Sequence, residues 1–120
     1  MKRLFLIAFV CLLSIPSMHM SAMADDYNQK RAEYYQREAQ YYQQQAADFR
    51  RDAEYYLKKA EGYQRQAAYY TRAGKVSDAE RYVRYANEAM EKYKLRMKYA
   101  SQADDKAAYR LKMAADYLRR

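Results

Sequence analysis

Tyrosine is the most abundant side chain here with any chemistry to offer: there are sixteen, and their spacing points to contact rather than catalysis. Tyr34, Tyr41, Tyr55 and Tyr69 are separated by multiples of seven residues, and each stands immediately before a second tyrosine, at 35, 42, 56 and 70. A phenol ring offers an apolar face for packing and a hydroxyl for a hydrogen bond. A column of such rings suits another protein or a sugar polymer, and these four are the expected interaction face.

Cations are the second resource. Lysine and arginine total 23 against 15 acidic residues, a formal net charge of +8. From Asp25 to Glu80 ten basic residues balance ten acidic ones, whereas Arg81 to Arg120 holds eleven and five. Arg81, Arg84, Lys92, Lys94, Arg96 and Lys98 are therefore candidate contacts for anionic lipid, lipopolysaccharide or acidic polysaccharide, through counterion release and Coulomb attraction. Nucleic acid is not expected as a partner. Spaced as they are, the six spread around a helix, as the charges of a solvated coiled-coil exterior also would.

Catalytic groups are scarce. The single histidine and single cysteine, His19 and Cys11, both fall within the first 24 residues. Beyond them the usual ligands for zinc, copper, haem or iron–sulfur clusters are missing. Over residues 25–120 hydroxyls outside tyrosine are confined to Thr71, Ser77 and Ser101, with no imidazole to activate them. Asp104 and Asp105 could serve as acid and base, but nothing in the pattern marks a concave site for them. No enzymatic activity, metal or cofactor is expected.

The elements that position these groups are helices. Ala32, Ala39, Ala46, Ala53, Ala60 and Ala67 recur every seven residues, and Tyr35, Tyr42, Phe49, Tyr56, Tyr63 and Tyr70 keep step three residues behind. Apolar spacings of three and four make one continuous helical seam. Tyr34, Tyr41, Tyr55 and Tyr69 then lie roughly 130° from the centre of that seam, so one partner helix cannot cover both. Beyond Gly74 the period resumes with Ala79, Ala86, Tyr93, Ala100, Ala107 and Ala114. Val83, Met90, Met97, Leu111 and Leu118 stand four residues past five of these, with Asp104 the exception. Pairing Ala67 with Ala86 also pairs Ala53 with Ala100, Ala46 with Ala107 and Ala39 with Ala114. The rings from Tyr35 to Tyr70 and the Val/Met/Leu set are expected to fill the alternate layers.

The expected fold is all-α: a long antiparallel two-helix hairpin, an alanine-rich coiled coil. Its helices are placed at 26–73 and 78–118, with the turn at 74–77. Gly74 supplies the left-handed terminator, and Ser77 with Glu80 has the spacing of a capping box for the second helix. Gly62 is read as interior to the first helix, and 101–105 as continuous within the second. Tyr70, Gly74, Ala79 and Ala86 resemble one tetratricopeptide unit. That likeness covers about a quarter of the chain, has no second copy at the period of 34 residues, and brings no peptide-binding function with it.

Residues 1–24 are expected to be a signal peptide. Lys2 and Arg3 precede an apolar run from Leu4 to Leu13, and Ala22-Met23-Ala24 supplies a small-residue cleavage pattern. The run falls short of the roughly 20 residues that span a bilayer. Residues 25–120 form the single domain. The chain is thus expected to be periplasmic or secreted, and to act as a non-enzymatic structural or adaptor module that binds itself or another envelope protein. The alternative is a cationic envelope-binding module that holds an anionic polymer or membrane surface through its second helix.

Overall fold

The structure is a computed structural model that describes residues 22–120. All but the last three residues of the expected signal peptide lie outside the described residues. Two helices follow, α1 at Ala22–Arg72 and α2 at Val76–Arg119, of 51 and 44 residues. They fold back on each other as an antiparallel hairpin whose Cα atoms span 80 × 19 × 13 Å. Both helices are far longer than those of a tetratricopeptide unit.

Composition explains the length. Alanine, glutamine, glutamate, lysine and arginine are strong helix formers, and neither proline nor a β-branched run interrupts them. Helix α1 begins four residues before the expected start because Ala22-Met23-Ala24 can join it, with Asp25 in the first turn at the positive end of the dipole. It passes through Gly62, where an added Cβ would meet only the Arg65 guanidinium at 3.8 Å. Helix α2 likewise runs unbroken through 101–105.

Gly74 ends α1 as expected, at φ +74°. Its N–H donates to the Thr71 carbonyl at 3.1 Å, and the Lys75 N–H donates to the Tyr70 carbonyl at 2.9 Å. This crossed pair satisfies carbonyls that a helix end leaves open. The expected capping box does not form. Lys75 itself is the N-cap of α2, its carbonyl accepting from the Ala79 N–H at 3.0 Å, with no side-chain cap. The reversal is so tight that α2 starts two residues early. Ser77 is thereby drawn into the first turn, out of the capping position.

Every buried side chain among the described residues is an alanine. Writing the heptad with the alanine columns of both helices at position a, the ring ladder of α1 is position d. Against that ladder the expected filling of the alternate layers by the Val/Met/Leu set needs correcting. It would set Tyr70, Tyr56 and Tyr35 opposite Val83, Met97 and Leu118. Instead Tyr70 stacks on Tyr82 at 5.4 Å, Tyr56 lies beneath Lys92 and Arg96, each 5.6 Å away, and Tyr35 stacks on Tyr117 at 5.8 Å. Tyr42 lies beneath Lys106 and Arg110, and Phe49 meets Tyr99 at 5.4 Å.

The α2 column in the seam is therefore Tyr82, Ala89, Arg96, Ala103, Arg110 and Tyr117, three residues past each a position. Ala89 and Ala103, which the alanine column at 79–114 does not include, are buried there. The Val/Met/Leu column, at position e, moves to the rim: Val83 is 47% and Met97 38% exposed. The a-to-d step is three residues in both helices, as one shared supercoil requires.

Two cross-helix ion pairs fix the same register. Arg110 Nε donates to Glu38 Oε1 at 3.0 Å, with both side chains mostly shielded, and Arg50 pairs with Asp104. Asp104 interrupts the aliphatic column because Arg50 faces it across the groove.

Candidate functional site

Each tyrosine of the expected interaction face is exposed: Tyr34 by 43%, Tyr41 by 59%, Tyr55 by 55% and Tyr69 by 59%. They occupy position c of α1, one residue before the ladder. Tyr27, seven residues before Tyr34, extends the column and is 58% exposed. The same period of seven would have found it in the sequence. Tyr85, Leu95 and Tyr109 of α2 are also exposed, and their g and c positions place them on the same side of the rod.

The outer rings are held in a repeated geometry. Tyr34 meets Tyr35 at 5.2 Å and 72°, Tyr41 meets Tyr42 at 5.3 Å and 70°, Tyr55 meets Tyr56 at 5.3 Å and 70°, and Tyr69 meets Tyr70 at 5.3 Å and 75°. Edge-to-face contact is the arrangement the ring quadrupole favours. Each inner ring is half-buried against α2, so each outer ring is oriented by a neighbour that the hairpin itself places. Hydroxyls are tethered one helical turn on: Tyr34 donates to Glu38 Oε2 at 3.2 Å, and Gln45 Nε2 donates to the Tyr41 hydroxyl at 2.7 Å. Lys59 lies 5.1 Å from the Tyr55 centroid, and hydrogen bonding to Tyr55 raises its pKa above 10.5.

At the open end of the hairpin, Arg31 sits between Tyr34, Tyr35 and Tyr117, at 5.4, 5.2 and 5.6 Å from their centroids. Its Nη2 donates to the Tyr35 hydroxyl at 3.1 Å. Hydrogen bonding from Arg31 is the main cause that holds the Tyr117 phenol below its ordinary 10.0, against the opposing effect of burial. Arg120 adds a second cation 4.3 Å from the same ring.

The six candidate anion contacts of α2 are not brought together. Lys92 and Arg96 lie over Tyr56, Arg81 pairs with Asp78 at 3.1 Å and lies over Tyr82, and Lys94 pairs with Glu91 at 3.6 Å. Arg84 lines a shallow groove with Thr71, Val76, Ala79, Glu80 and Val83 near the turn. Lys98 is exposed on the outer side of α2. Lys92, Arg96, Lys106 and Arg110 thus rest against rings of α1 as cation–π contacts.

A second exposed surface is the displaced e column of α2. Val76, Val83 and Met97 are exposed, and Met90, Leu111 and Leu118 are half-buried between them. The Arg50–Asp104 pair joins the e positions of the two helices, which puts this column and the c-position tyrosines on opposite sides of the rod. Among the described residues no helix is long and apolar enough to cross a membrane, and no group of three or more His, Cys, Asp or Glu side chains could hold a metal.

The fold and this surface define a class: an all-α antiparallel hairpin with an alanine seam and two exposed apolar columns. No protein-family model matches the chain, and no curated protein or solved structure matches it significantly.

Proposed function

We propose that the protein is an exported, non-enzymatic helical rod, periplasmic or secreted, that works as a structural or adaptor module and associates with itself. The aliphatic column of α2 carries this reading. Val76, Val83, Met90, Met97, Leu111 and Leu118 repeat every seven residues with Asp104 as the one interruption, and they run for roughly 60 Å at 1.5 Å per residue. A valine or methionine side chain has no hydroxyl to satisfy in water, so only dry contact rewards such a column. An occupant must be a helix with the same period, and a second copy offers one. With a two-fold axis near Met97, each column lies antiparallel on itself and two hairpins make a four-helix bundle.

Sedimentation velocity of the chain tests this. The expected result is a dimer at high micromolar concentration, and a monomer of unchanged helicity for the Val83→Lys/Met97→Lys variant. A wild-type chain that stays strictly monomeric at that concentration sinks the reading.

A further inference from the structure

The outer surface of α1 carries a second period-seven pattern, three residues past the exposed tyrosines. Lys30, Arg37, Arg51, Lys58, Arg65 and Arg72 fall on one heptad column, position f, with Gln44 its only neutral member. Position f lies on the side of α1 turned away from the seam. Residues three apart are surface neighbours on a helix. Tyr27 therefore adjoins Lys30, Tyr34 adjoins Arg37, Tyr55 adjoins Lys58 and Tyr69 adjoins Arg72. The result is one stripe of alternating rings and cations along α1, with Asp48 the only carboxylate within it and Asp26, Glu33, Glu54 and Glu61 along its far edge at position b.

The cations are free to change partners. Lys30, Arg51 and Lys58 pair with Asp26, Asp48 and Glu54 of the same helix, but these lysine and arginine side chains are 72%, 68% and 74% exposed. Exposed pairs of that kind are held only weakly and exchange with solvent ions. Arg37, Arg65 and Arg72 are exposed and make no ion pair among the described residues. The rings need no such release, since their edge-to-face contacts with the ladder already orient them. A preorganised aromatic platform loses little conformational entropy when a ligand arrives.

From this we infer that the c and f columns of α1 form a binding stripe for a linear acidic polysaccharide. A site repeated along a rigid 80 Å rod fits an extended, repeating ligand rather than a small molecule. Its sign demands an anion, and exposed phenol rings suit the apolar faces of sugars. Its spacing separates the polymers: one heptad advances about 10.5 Å, whereas a nucleic-acid strand carries a charge about every 3.4 Å of its axis. Rings that far apart cannot stack successive bases. A polymer with a carboxylate on every second sugar presents charge at the sparser interval. The stripe lies on α1 and the aliphatic column on α2, so this inference stands independently of self-association.

The test is calorimetric titration of the full chain at low salt with hyaluronan oligosaccharides of defined length, and with dextran, polyglutamate and a single-stranded oligonucleotide in parallel. Hyaluronan is expected to bind, to weaken steeply as salt is raised, and to gain affinity with length until it spans the stripe. The Arg37→Glu/Arg65→Glu/Arg72→Glu variant is expected to lose affinity at least about tenfold. So is the Tyr34→Ser/Tyr41→Ser/Tyr55→Ser/Tyr69→Ser variant, each with wild-type helicity, while Arg84→Glu/Lys98→Glu on α2 binds as wild type. The inference is overturned if hyaluronan fails to bind at low salt, if the oligonucleotide or polyglutamate binds more tightly, or if the α2 variant loses binding and the α1 variants keep it.

Discussion

The methyl group of Ala53 is all that its layer of the seam accommodates, because the residue is 1% exposed and faces α2 at close approach. Tyr55, two positions on, is 55% exposed and points away from that layer. Ala53→Leu is therefore expected to lower stability by about 1–3 kcal/mol through overpacking. Tyr55→Ala should change it by no more than about 0.5 kcal/mol, as a surface substitution does. Urea unfolding of the two variants checks the contrast, and equal losses would mean that the seam is misplaced. Tyr117 gives a second handle. Arg31 lowers its folded pKa, so this group adds no stability while it stays protonated in both states. Its contribution appears as pH rises through the folded pKa and is complete above the ordinary 10.0. A phenolate absorbance titration should therefore show an early component that Tyr117→Phe lacks. Wild type should also gain stability over that variant as the pH rises towards 10.0. An early component that persists unchanged in Arg31→Gln would remove Arg31 as the cause.

At the scale of the element, the two glycines have opposite roles. Gly62 is interior to α1, where an added methyl group makes only ordinary contact with the Arg65 guanidinium, and Gly62→Ala should stabilise the hairpin by up to about 1 kcal/mol. Gly74 sits at φ +74°, and Gly74→Ala should destabilise it by about 1–2 kcal/mol, although no atom lies near the added methyl group. Thermal melts of both variants measure these opposite signs. The turn also shows how a local signal loses to geometry. Ser77 and Glu80 have capping-box spacing, but the crossed hydrogen bonds at Gly74 and Lys75 let α2 begin first. The Val/Met/Leu column is a parallel case: it is more apolar than Tyr82, Ala89, Arg96, Ala103, Arg110 and Tyr117. Apolarity alone therefore put it in the seam, one residue out of phase with the three-residue step that α1 already displayed.

At the scale of the whole hairpin, the described residues form a thin rod in which nothing larger than alanine is fully buried. Little apolar volume is sealed inside one hairpin, so stability should depend on what covers its outer columns. Association of folded copies raises the apparent stability by mass action. The melting temperature of the wild type is expected to rise over about a hundredfold increase in concentration, and that of Val83→Lys/Met97→Lys to stay constant. A concentration-independent melt for both would assign the aliphatic rim to solvent.

Period, helix length and reversal were all determined by the sequence alone. Alanine every seven residues with a ring three behind admits one seam along α1, and since both ladders pass through Gly62 in register, Gly74 is the glycine left to take the left-handed turn. The exposure of Tyr34, Tyr41, Tyr55 and Tyr69 was equally legible, since one partner helix cannot cover two columns so far apart. Only the tertiary structure decided which α2 residues meet the ladder. A cation is polar in isolation, yet Arg96 and Arg110 serve as seam residues because the ring faces of Tyr56 and Tyr42 attract them. That attraction exists only once the two helices are side by side. The aliphatic column is left at the rim, and Arg96 and Arg110 of α2 take places in the seam.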